Sequence, residues 1–587
     1  MNFMTPAGSR SENFSRDGQN LQQSLSIAQD IFKEVGCGKI NFVLIGLEVD
    51  VLFRDAENNF TADAVDKNLQ TLNEYIKLCL DNGAKPVAVI LPLPPSIRED
   101  YRQKFFKPLI EILNEFARLY DFNVVNLFDV NITEKFFVNG KLAGKSAKMV
   151  NALLAIKFLE LKIFVDEDFY RLSYDFFYTL AYTLRKEIFQ AVMNKIFSAT
   201  IEKLRHKQKI KLAFVTDHAA TWCGDELYKL FAQNPRFETT VLLCRGIEST
   251  VQDTQHDLEQ FQAAGINVVG IFDLETETPP QDVVIFLRPY LSNFPKNFQA
   301  DALTPQTLGI YIHYSYGTTT LPYHNSLTFL LAWKFFFDTD LTRKLFDENC
   351  DVGIPRGVYS GLPKMDYFFD EAAQKNFPWK LIRPDAKKII WAPHWTVPKS
   401  SCNDNYATFQ WNFRFMYEFA KAHPETSWVV KPHPRLELSA VEAGLFPNID
   451  AYEDYLQMWN ALPNAQVFTG AYYQPIFATS DGLIHDSNSF IAEYQFTHKP
   501  MIFLTGDGVT NFTELGKKIL NVSYLVDGKN FDDIAFAIQT IFIDGNDPIK
   551  VERQKIFDEL LNYRQHHGLT ASRFIYKTIT DELETVP

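Results

Sequence analysis

Two short apolar runs in the second half of the chain end in residues that could hold a phosphate. WVVKPHP (428–434) ends in Lys431 and His433, and DGLIHDSNSFIAEY (481–494) contains a polar turn made of Asp486, Ser487, Asn488 and Ser489. Proline cannot donate to a strand ladder, so the first run stops being a strand at Pro432 and its last side chains face a crevice. A lysine, a histidine and a helix N-terminus all bind phosphate, although strand-end histidines and polar helix caps are also common without a ligand.

The elements around these residues are those of an open parallel sheet. Residues 482–484 are predicted to form a short strand, 485–488 its turn and 489–495 the beginning of a helix, and MIFL (501–504) follows as the next strand. In open α/β sheets, ligands bind in the crevice at the carboxyl ends of the strands. The arrangement therefore predicts a nucleotide-diphosphate pocket at one edge of a sheet.

Five segments resemble the CDP-glycerol glycerophosphotransferase (teichoic-acid and capsule polymerase) family, in the family's order. They are IYIHYSYG (310–317), GLPKMDYFF (361–369), WAPHW (391–395), KPHP (431–434) and DGLIHDSNSFIAEY (481–494), the last followed by HKPMIFL (498–504). Such short motifs are informative mainly in combination. The resemblance covers about residues 209–530. It implies a GT-B fold, in which two Rossmann-like lobes face each other across a cleft.

The resemblance also implies which side chains would do the chemistry. His313 lies where the family has its first catalytic histidine, although it is flanked by IHYSYG rather than by Trp-His-Gly-x-Pro, and His433 is predicted to be catalytic as well. Glu493 takes the place of an acidic residue that contacts the donor; alternatively, it is a carboxylate favoured by the dipole of an early helical turn. The predicted donor-binding residues are Pro393, His394, Lys431, Asp486, Ser487, Asn488, Ser489 and Glu493.

The implied reaction is attack by an acceptor hydroxyl on the β-phosphorus of a CDP-alcohol, with release of CMP. Such chemistry depends mainly on positioning and on neutralising charge at phosphate oxygens. No Asp-x-Asp pair lies at a suitable position, so we predict transfer without a metal ion or other cofactor. The acceptor would be a saccharide or a lipid-linked polymer. Two alternatives stay open: a GT-B glycosyltransferase that uses a nucleotide sugar, and a non-catalytic scaffold for capsule assembly.

Length and composition restrict the class of protein. A chain of 587 residues is too long for one core, and 46% hydrophobic with 22% charged residues is typical of globular proteins. The net charge of −14 argues against a nucleic-acid partner, which needs a broad basic surface. Six scattered cysteines fit neither a disulfide framework nor a zinc site, so we predict a cytoplasmic protein. We expect neither a signal peptide nor a membrane-spanning segment.

The predicted fold class is α/β, in four parts. Residues 1–150 form an α/β domain, 151–208 a helical connector, 209–380 the N-lobe on the acceptor side and 381–587 the C-lobe that binds the nucleotide donor. The connector is amphipathic, which favours packing between domains. Its alternative role is contact with anionic lipid at the inner face of the cell membrane.

The first part resembles SGNH hydrolases but lacks their catalytic groups. Apolar runs at 40–47, 86–93 and 123–130 predict parallel strands, and Asn82-Gly83 is predicted to close the helix between the first two. The SGNH mechanism needs a Gly-Asp-Ser nucleophile and a histidine, and the chain has neither before His206. We therefore predict a non-catalytic domain.

Overall fold

The computed structural model divides the chain into two compact units, Met1–Val192 and Met193–Pro587. It describes residues 29, 42–47, 62–90, 95–120, 123–127, 137–138, 141–142 and 186–584, the last range without 220–221, 246–249, 274–279, 289–306, 320–330, 350–355, 372, 374–375, 398–405, 471, 489 and 508–510. Residues 151–185 of the predicted connector thus lie outside the described residues. Residues 186–205 of it form a helix.

The first unit contains a parallel sheet of three described strands, as the sequence predicts, and their order is β1-β2-β3. The strands are β1 (Phe42–Leu47), β2 (Lys85–Ile90) and β3 (Asn123–Asn126), with a short hairpin of β4 (Phe137–Val138) and β5 (Lys141–Leu142). Its helices are α1 (Ala62–Asp81), α2 (Pro95–Tyr101), a π-helical turn (Arg102–Phe106) and α3 (Lys107–Leu119). Leu72 and Ile76, one turn apart on α1, are fully buried. Gly83, at φ 75°, closes α1 as predicted. The likeness to SGNH hydrolases stays a prediction.

The second unit begins with a seven-stranded parallel sheet in the order β12-β11-β10-β9-β6-β7-β8. The strands are β6 (Ile210–Thr216), β7 (Phe237–Cys244), β8 (Val268–Ile271), β9 (Val283–Phe286), β10 (Leu308–Ile312), β11 (Lys334–Phe337) and β12 (Gly357–Tyr359). The helices are α4 (Lys186–Arg205), whose first seven residues belong to the first unit, α5 (Asp225–Gln233), α6 (Val251–Ala263) and α7 (Asp340–Asn349). All four residues of β9 are buried, as expected for a central strand covered on both faces.

A second parallel sheet of six strands follows, in the order β15-β14-β13-β16-β17-β18. The strands are β13 (Lys387–Ala392), β14 (Thr426–Val430), β15 (Ala465–Val467), β16 (Gly482–His485), β17 (Met501–Thr505) and β18 (Tyr524–Asp527). Alternate residues enter two separate cores, because side chains alternate between the faces of a strand. Ile389 and Trp391 pack into one core, and Ile390 and Ala392 into the other.

The remaining helices mostly cover the two faces of the second sheet. They are α8 (Phe409–Ala422), α9 (Leu436–Glu442), α10 (Ile449–Ala461), α11 (Gln474–Thr479), α12 (Phe490–Glu493), α13 (Glu514–Leu520), α14 (Phe531–Ala537), α15 (Lys550–Leu560), α16 (Tyr563–His567) and α17 (Ala571–Leu583). The backbone N–H groups of Ala571 and Ser572, at the start of α17, each donate to the Asp366 carboxylate at 2.8 Å. Helix α17 then packs on helix α5 of the seven-stranded sheet, where the rings of Tyr576 and Phe231 lie 5.0 Å apart.

The two parallel sheets give the second unit the GT-B architecture that the resemblance implies. We refer to the sheet β6–β12 with its helices as the N-lobe and to the sheet β13–β18 with its helices as the C-lobe. The exact domain boundaries stay predictions. Among the described strands of the second unit, four are absent from the sequence prediction: β11, β12, β15 and β18. None of them is longer than four residues, which is too short for a clear alternation of apolar and polar positions.

Among the described residues, no helix combines the length and the apolar character needed to cross a membrane.

Candidate functional site

Strands β13 and β14 of the C-lobe end in two histidines that touch. Trp391 pairs with Val430 in the ladder, so the two strands end side by side. Three residues further on, the rings of His394 and His433 lie 4.9 Å apart, centroid to centroid. The backbone N–H of His433 donates to the Pro393 carbonyl oxygen at 3.1 Å. WAPHW and KPHP therefore face one crevice.

Three histidines at this edge share one hydrogen-bond pattern. Nδ1 of His394, His433 and His485 accepts the backbone N–H two residues further on, from Thr396 at 3.4 Å, Arg435 at 3.1 Å and Ser487 at 3.2 Å. A backbone N–H can only donate, so Nδ1 carries no proton and the neutral ring is protonated at Nε2. In His485, Nε2 then points at the Met501 sulfur, 2.9 Å away, which makes this ring part of the core.

Burial keeps the same three rings neutral. Burial, with the charges of Lys431 and Arg435, lowers the pKa of His433 to about 3. Burial also lowers the pKa of His485 to about 3 and holds the pKa of His394 well below its usual value. A neutral imidazole protonated at Nε2 can donate a hydrogen bond to a phosphate oxygen, but it has no imidazolium proton to give away. The chemistry open to His433 is therefore hydrogen-bond donation.

Lys431 places a buried positive charge beside these rings. Its side chain is 8% exposed, and its ammonium lies 5.4 to 6.0 Å from the ring centroids of Phe468, Tyr473 and Phe490. Its one hydrogen bond to a described residue is a long one, 3.4 Å, to the Gly470 carbonyl oxygen. Burial lowers the pKa of Lys431 to about 8, and the charge of Glu493 partly offsets this shift. No carboxylate among the described residues lies in ion-pair contact with this ammonium.

The predicted phosphate turn is held mainly by contacts within the protein. Asp486 accepts from the His394 N–H (2.6 Å) with one oxygen, and from the Thr408 N–H (2.6 Å) and hydroxyl (2.8 Å) with the other. Burial raises the pKa of Asp486 to about 6. Ser487 is buried and Asn488 half-buried, whereas Ser489 lies outside the described residues. Asp486 therefore shapes the turn, and its contact with a donor stays a prediction.

The helix after this turn is short. Helix α12 has four residues and continues into a 3-10 turn (Tyr494–Thr497). Four residues align few peptide dipoles, so the positive end is weaker than that of a long helix. The larger share of positive charge in this region comes from lysines.

Glu493, at the end of α12, is 1% exposed and engaged by two partners. One carboxylate oxygen forms an ion pair with Lys364, and the other accepts the Tyr473 hydroxyl hydrogen bond. Lys364 belongs to the segment GLPKMDYFF (361–369), but it is not among the predicted site residues. The predicted contact of Glu493 with a donor stays a prediction, and its visible role is to hold Lys364 and Tyr473.

In the N-lobe, His313 follows β10 and meets a carboxylate. Its Nδ1 donates to Asp338 Oδ1 at 2.9 Å, and both side chains are fully buried. Asp338 follows β11, which pairs in parallel with β10. His313 Nε2 has no hydrogen-bond partner among the described residues. The proton on Nδ1 leaves Nε2 with a free lone pair, the opposite of the C-lobe arrangement.

Residues 316–319 connect the two sheet edges. The Gly317 N–H donates to Asp338 Oδ2 at 3.0 Å. The Thr318 hydroxyl donates to the Asn488 carbonyl oxygen at 3.0 Å, and Asn488 Nδ2 donates to the Thr319 hydroxyl at 3.3 Å. Consecutive residues thus contact the Asp338 carboxylate, which holds His313, and the 486–488 turn of the C-lobe.

Comparison with known proteins gives distant structural likenesses. No protein-family model matches the chain, and no curated relative is found. Among solved structures, UDP-GlcNAc 2-epimerase from Neisseria meningitidis bound to UDP-GlcNAc is 14% identical with a TM-score of 0.42, over 64% of this chain and 100% of that one. MnaA of S. aureus with UDP is 14% identical with a TM-score of 0.43, over 64% and 97%. The wall teichoic acid polymerase TagF is 12% identical with a TM-score of 0.41, over 75% and 98%.

These likenesses concern the fold alone. At such identities and scores they carry no argument about the reaction, so the assignment of the site depends on the side chains described above.

The structure groups most predicted residues, but it does not join the two predicted catalytic histidines. His394, His433, Lys431 and the 486–488 turn all lie at the C-lobe edge. No contact between His313 and His433 occurs in the part of the chain that the structure describes, and the connection runs through 316–319. Asp338, Lys364 and Tyr473 are not among the residues predicted from the sequence. The run KFFFD (334–338) offers the signal for Asp338: an apolar strand that ends in a carboxylate.

No group of three or more histidine, cysteine, aspartate or glutamate side chains is arranged to hold a metal ion within the described ranges. The prediction of transfer without a metal ion or other cofactor stays a prediction.

Proposed function

We propose that this chain transfers a polyol phosphate from a CDP-activated donor to an acceptor hydroxyl, releasing CMP, in the synthesis of a capsule or teichoic-acid-like polymer. The proposal combines the five ordered motifs with the side chains at the two sheet edges. The reaction would be of the phosphotransferase class. The acceptor would be a saccharide or a lipid-linked polymer.

The observation that carries the proposal is the burial of Lys431 without an ion-pair partner among the described residues. A buried ammonium without an ion-pair partner is costly, because neither water nor a carboxylate compensates its charge. The nearby rings offer only the weaker cation–π attraction. An anionic ligand that entered the crevice would supply the missing partner, and the Nε2–H group of His433 could donate to the same ligand. A donor phosphate fits both groups.

The bond changes follow from this assignment. The acceptor oxygen would bond to the β-phosphorus as its proton passes to His313 Nε2. The bond from the β-phosphorus to the bridging oxygen would break, and its electron pair would leave with CMP. Lys431 and His433 would neutralise charge on the donor oxygens, as phosphoryl transfer requires.

The location of the protein belongs to the proposal. Cys79, Cys223 and Cys244 are free and buried, which supports a reducing compartment such as the cytoplasm. Contact with the inner face of the membrane would give access to a lipid-linked acceptor.

Analysis of the nucleotide product tests the reaction. The purified chain would be incubated with CDP-glycerol, CDP-ribitol or nucleotide sugars and a saccharide acceptor, and the released nucleotides separated by chromatography. Acceptor-dependent CMP supports the proposal. Release of CDP or UDP instead would identify a glycosyltransferase, and no release from any donor would favour a scaffold.

A thermal-shift screen of the same donors identifies the ligand independently of turnover. A ligand that binds only the native state at a thousandfold excess over its dissociation constant stabilises it by about 4 kcal/mol. CDP-alcohols are expected to raise the melting temperature more than nucleotide sugars do.

A further inference from the structure

We propose that Asp338 is a positioning residue that holds His313 in the form of a base. The inference rests on the proposed function, because it takes His313 as the acceptor of the attacking hydroxyl's proton. Neither the motifs nor the resemblance assigns a role to Asp338, which lies 25 residues after His313 on a neighbouring strand.

The Asp338 carboxylate is fixed on both of its oxygens. Oδ1 faces His313 Nδ1, and Oδ2 accepts the Gly317 N–H and the Thr342 hydroxyl, each at 3.0 Å. Thr342 is itself held, because its N–H donates to the Thr339 hydroxyl at 3.1 Å. A carboxylate with two committed oxygens cannot rotate away from the imidazole.

The chain packs closely around this pair. A Cβ atom added to Gly317 would lie 2.7 Å from Thr342 Cγ2 and Oγ1, so the Gly317 N–H approaches Asp338 at a place that a larger residue would crowd. Phe335 and Phe346 pack beside the imidazole, with centroids 6.3 Å away in each case. The His313 ring is therefore held by packing as well as by its hydrogen bond.

This arrangement defines the chemistry of the imidazole. The Asp338 carboxylate accepts the Nδ1 proton and leaves the Nε2 lone pair free. When the acceptor hydroxyl gives its proton to Nε2, the ring becomes an imidazolium, and Asp338 stabilises that charge without taking the proton. The new oxygen–phosphorus bond forms as the β-phosphorus to bridging-oxygen bond breaks, and CMP leaves with the electron pair.

Asp338→Asn tests the assignment by reversing the tautomer. The Gly317 N–H needs an acceptor, so the asparagine oxygen is expected to turn toward Gly317 and its NH2 group toward His313. Nδ1 would then accept, and the neutral ring would be protonated at Nε2, without a lone pair for catalysis. We expect kcat to fall about a thousandfold, with the KM for the CDP-alcohol changed by no more than about threefold.

Thr342→Val is the comparison variant, because it loosens the carboxylate without removing its charge. It removes another hydrogen bond from the same carboxylate in the same buried surroundings and leaves the contact with His313. We expect a lower melting temperature and kcat within about fivefold of the wild-type value. Asp338→Glu retains the charge and should recover part of the activity lost in Asp338→Asn.

Nitrogen-15 NMR of histidine-labelled protein reads the tautomer without any assay of turnover. His313 signals are identified by their loss in His313→Gln. Wild-type protein should show a proton on Nδ1, and Asp338→Asn a proton on Nε2. An Nε2-protonated His313 in the wild type, or equal kcat losses in Asp338→Asn and Thr342→Val, would overturn the role of Asp338. Absence of CMP release from wild-type protein whose His313 is protonated at Nδ1 would contradict the proposed function instead.

Discussion

The N-lobe and the C-lobe both place histidines just beyond the carboxyl ends of parallel strands, yet they prepare them for opposite tasks. In the C-lobe, Nδ1 of His433 accepts a backbone N–H, and in the N-lobe, Nδ1 of His313 donates to Asp338. The first ring is protonated at Nε2 and can donate to a phosphate oxygen. The second has a free Nε2 lone pair and can accept a proton.

The difference shows that the residue facing Nδ1 decides what a strand-end histidine can do. In the C-lobe the partner is the chain itself, two residues further on, so the tautomer is set locally. In the N-lobe the partner comes from the adjacent strand and carries a charge. A base needs stabilisation when it becomes positive, which a carboxylate supplies. A hydrogen-bond donor beside Lys431 works best when it stays neutral.

Exchange of each histidine for glutamine should separate the two roles, with the largest effect in the N-lobe. His313→Gln removes the base, and we expect kcat to fall about a thousandfold. His433→Gln retains an N–H donor, so a rise in KM of about tenfold or less is expected, with little change in kcat. Steady-state kinetics of CMP release checks both. Equal losses of kcat would mean that the two rings do not differ in function.

The sequence predicts well which side chains lie at the ends of strands, and it predicts poorly which residues contact those side chains. Apolar runs that end in a polar motif, such as those that form β10 and β14, mark where side chains leave a sheet, and His313, His433 and Lys431 follow from them. Asp338 is missed because β11 has only four residues, three of them phenylalanine, next to other apolar residues. Lys364 is missed because its partner, Glu493, lies far away along the chain. A contact between distant segments has no local signal in one sequence.

One buried and one half-buried lysine of the C-lobe, Lys431 and Lys499, offer a sharper test of charge at the site. Burial lowers the pKa of both Lys431 and Lys499 to about 8. Lys431 follows the carboxyl end of β14, whereas Lys499 precedes β17 and donates to the Ala478 carbonyl oxygen at 2.7 Å. Only Lys431 should bind the donor, because the two lie at opposite edges of the sheet.

Lys431→Met should therefore weaken binding of the CDP-alcohol roughly ten- to a hundredfold, the usual effect of one charge-assisted hydrogen bond. Lys499→Met is the matched control. Isothermal titration calorimetry should show that Lys499→Met binds the CDP-alcohol with the affinity of the wild type, although the variant is less stable. Equal loss of affinity in both variants would indicate a general effect on the lobe rather than a phosphate contact.

The smallest effect concerns the pH dependence of stability, and it comes from the C-lobe rings. His433 and His485 have a pKa of about 3 when folded, against roughly 6.5 when unfolded. Between these values the unfolded state binds more protons, so stability falls as the pH drops below about 6.5. Asp486 has the opposite sign: its folded pKa of about 6 makes the folded state bind more protons between roughly pH 4 and 6. Two histidines outweigh one carboxyl group, so a net loss in acid is expected.

His485→Phe isolates one of these rings, because His485 contacts Met501 in the core rather than a ligand. Urea unfolding between pH 4.5 and 6 should give a slope of unfolding free energy against pH that is shallower by about one proton, or roughly 1.4 kcal/mol per pH unit. Met501→Leu alters the same packing without removing a titrating group, and its slope should equal that of the wild type. An unchanged slope in His485→Phe would mean that this ring is protonated in the folded protein, against the neutral state that distinguishes the C-lobe.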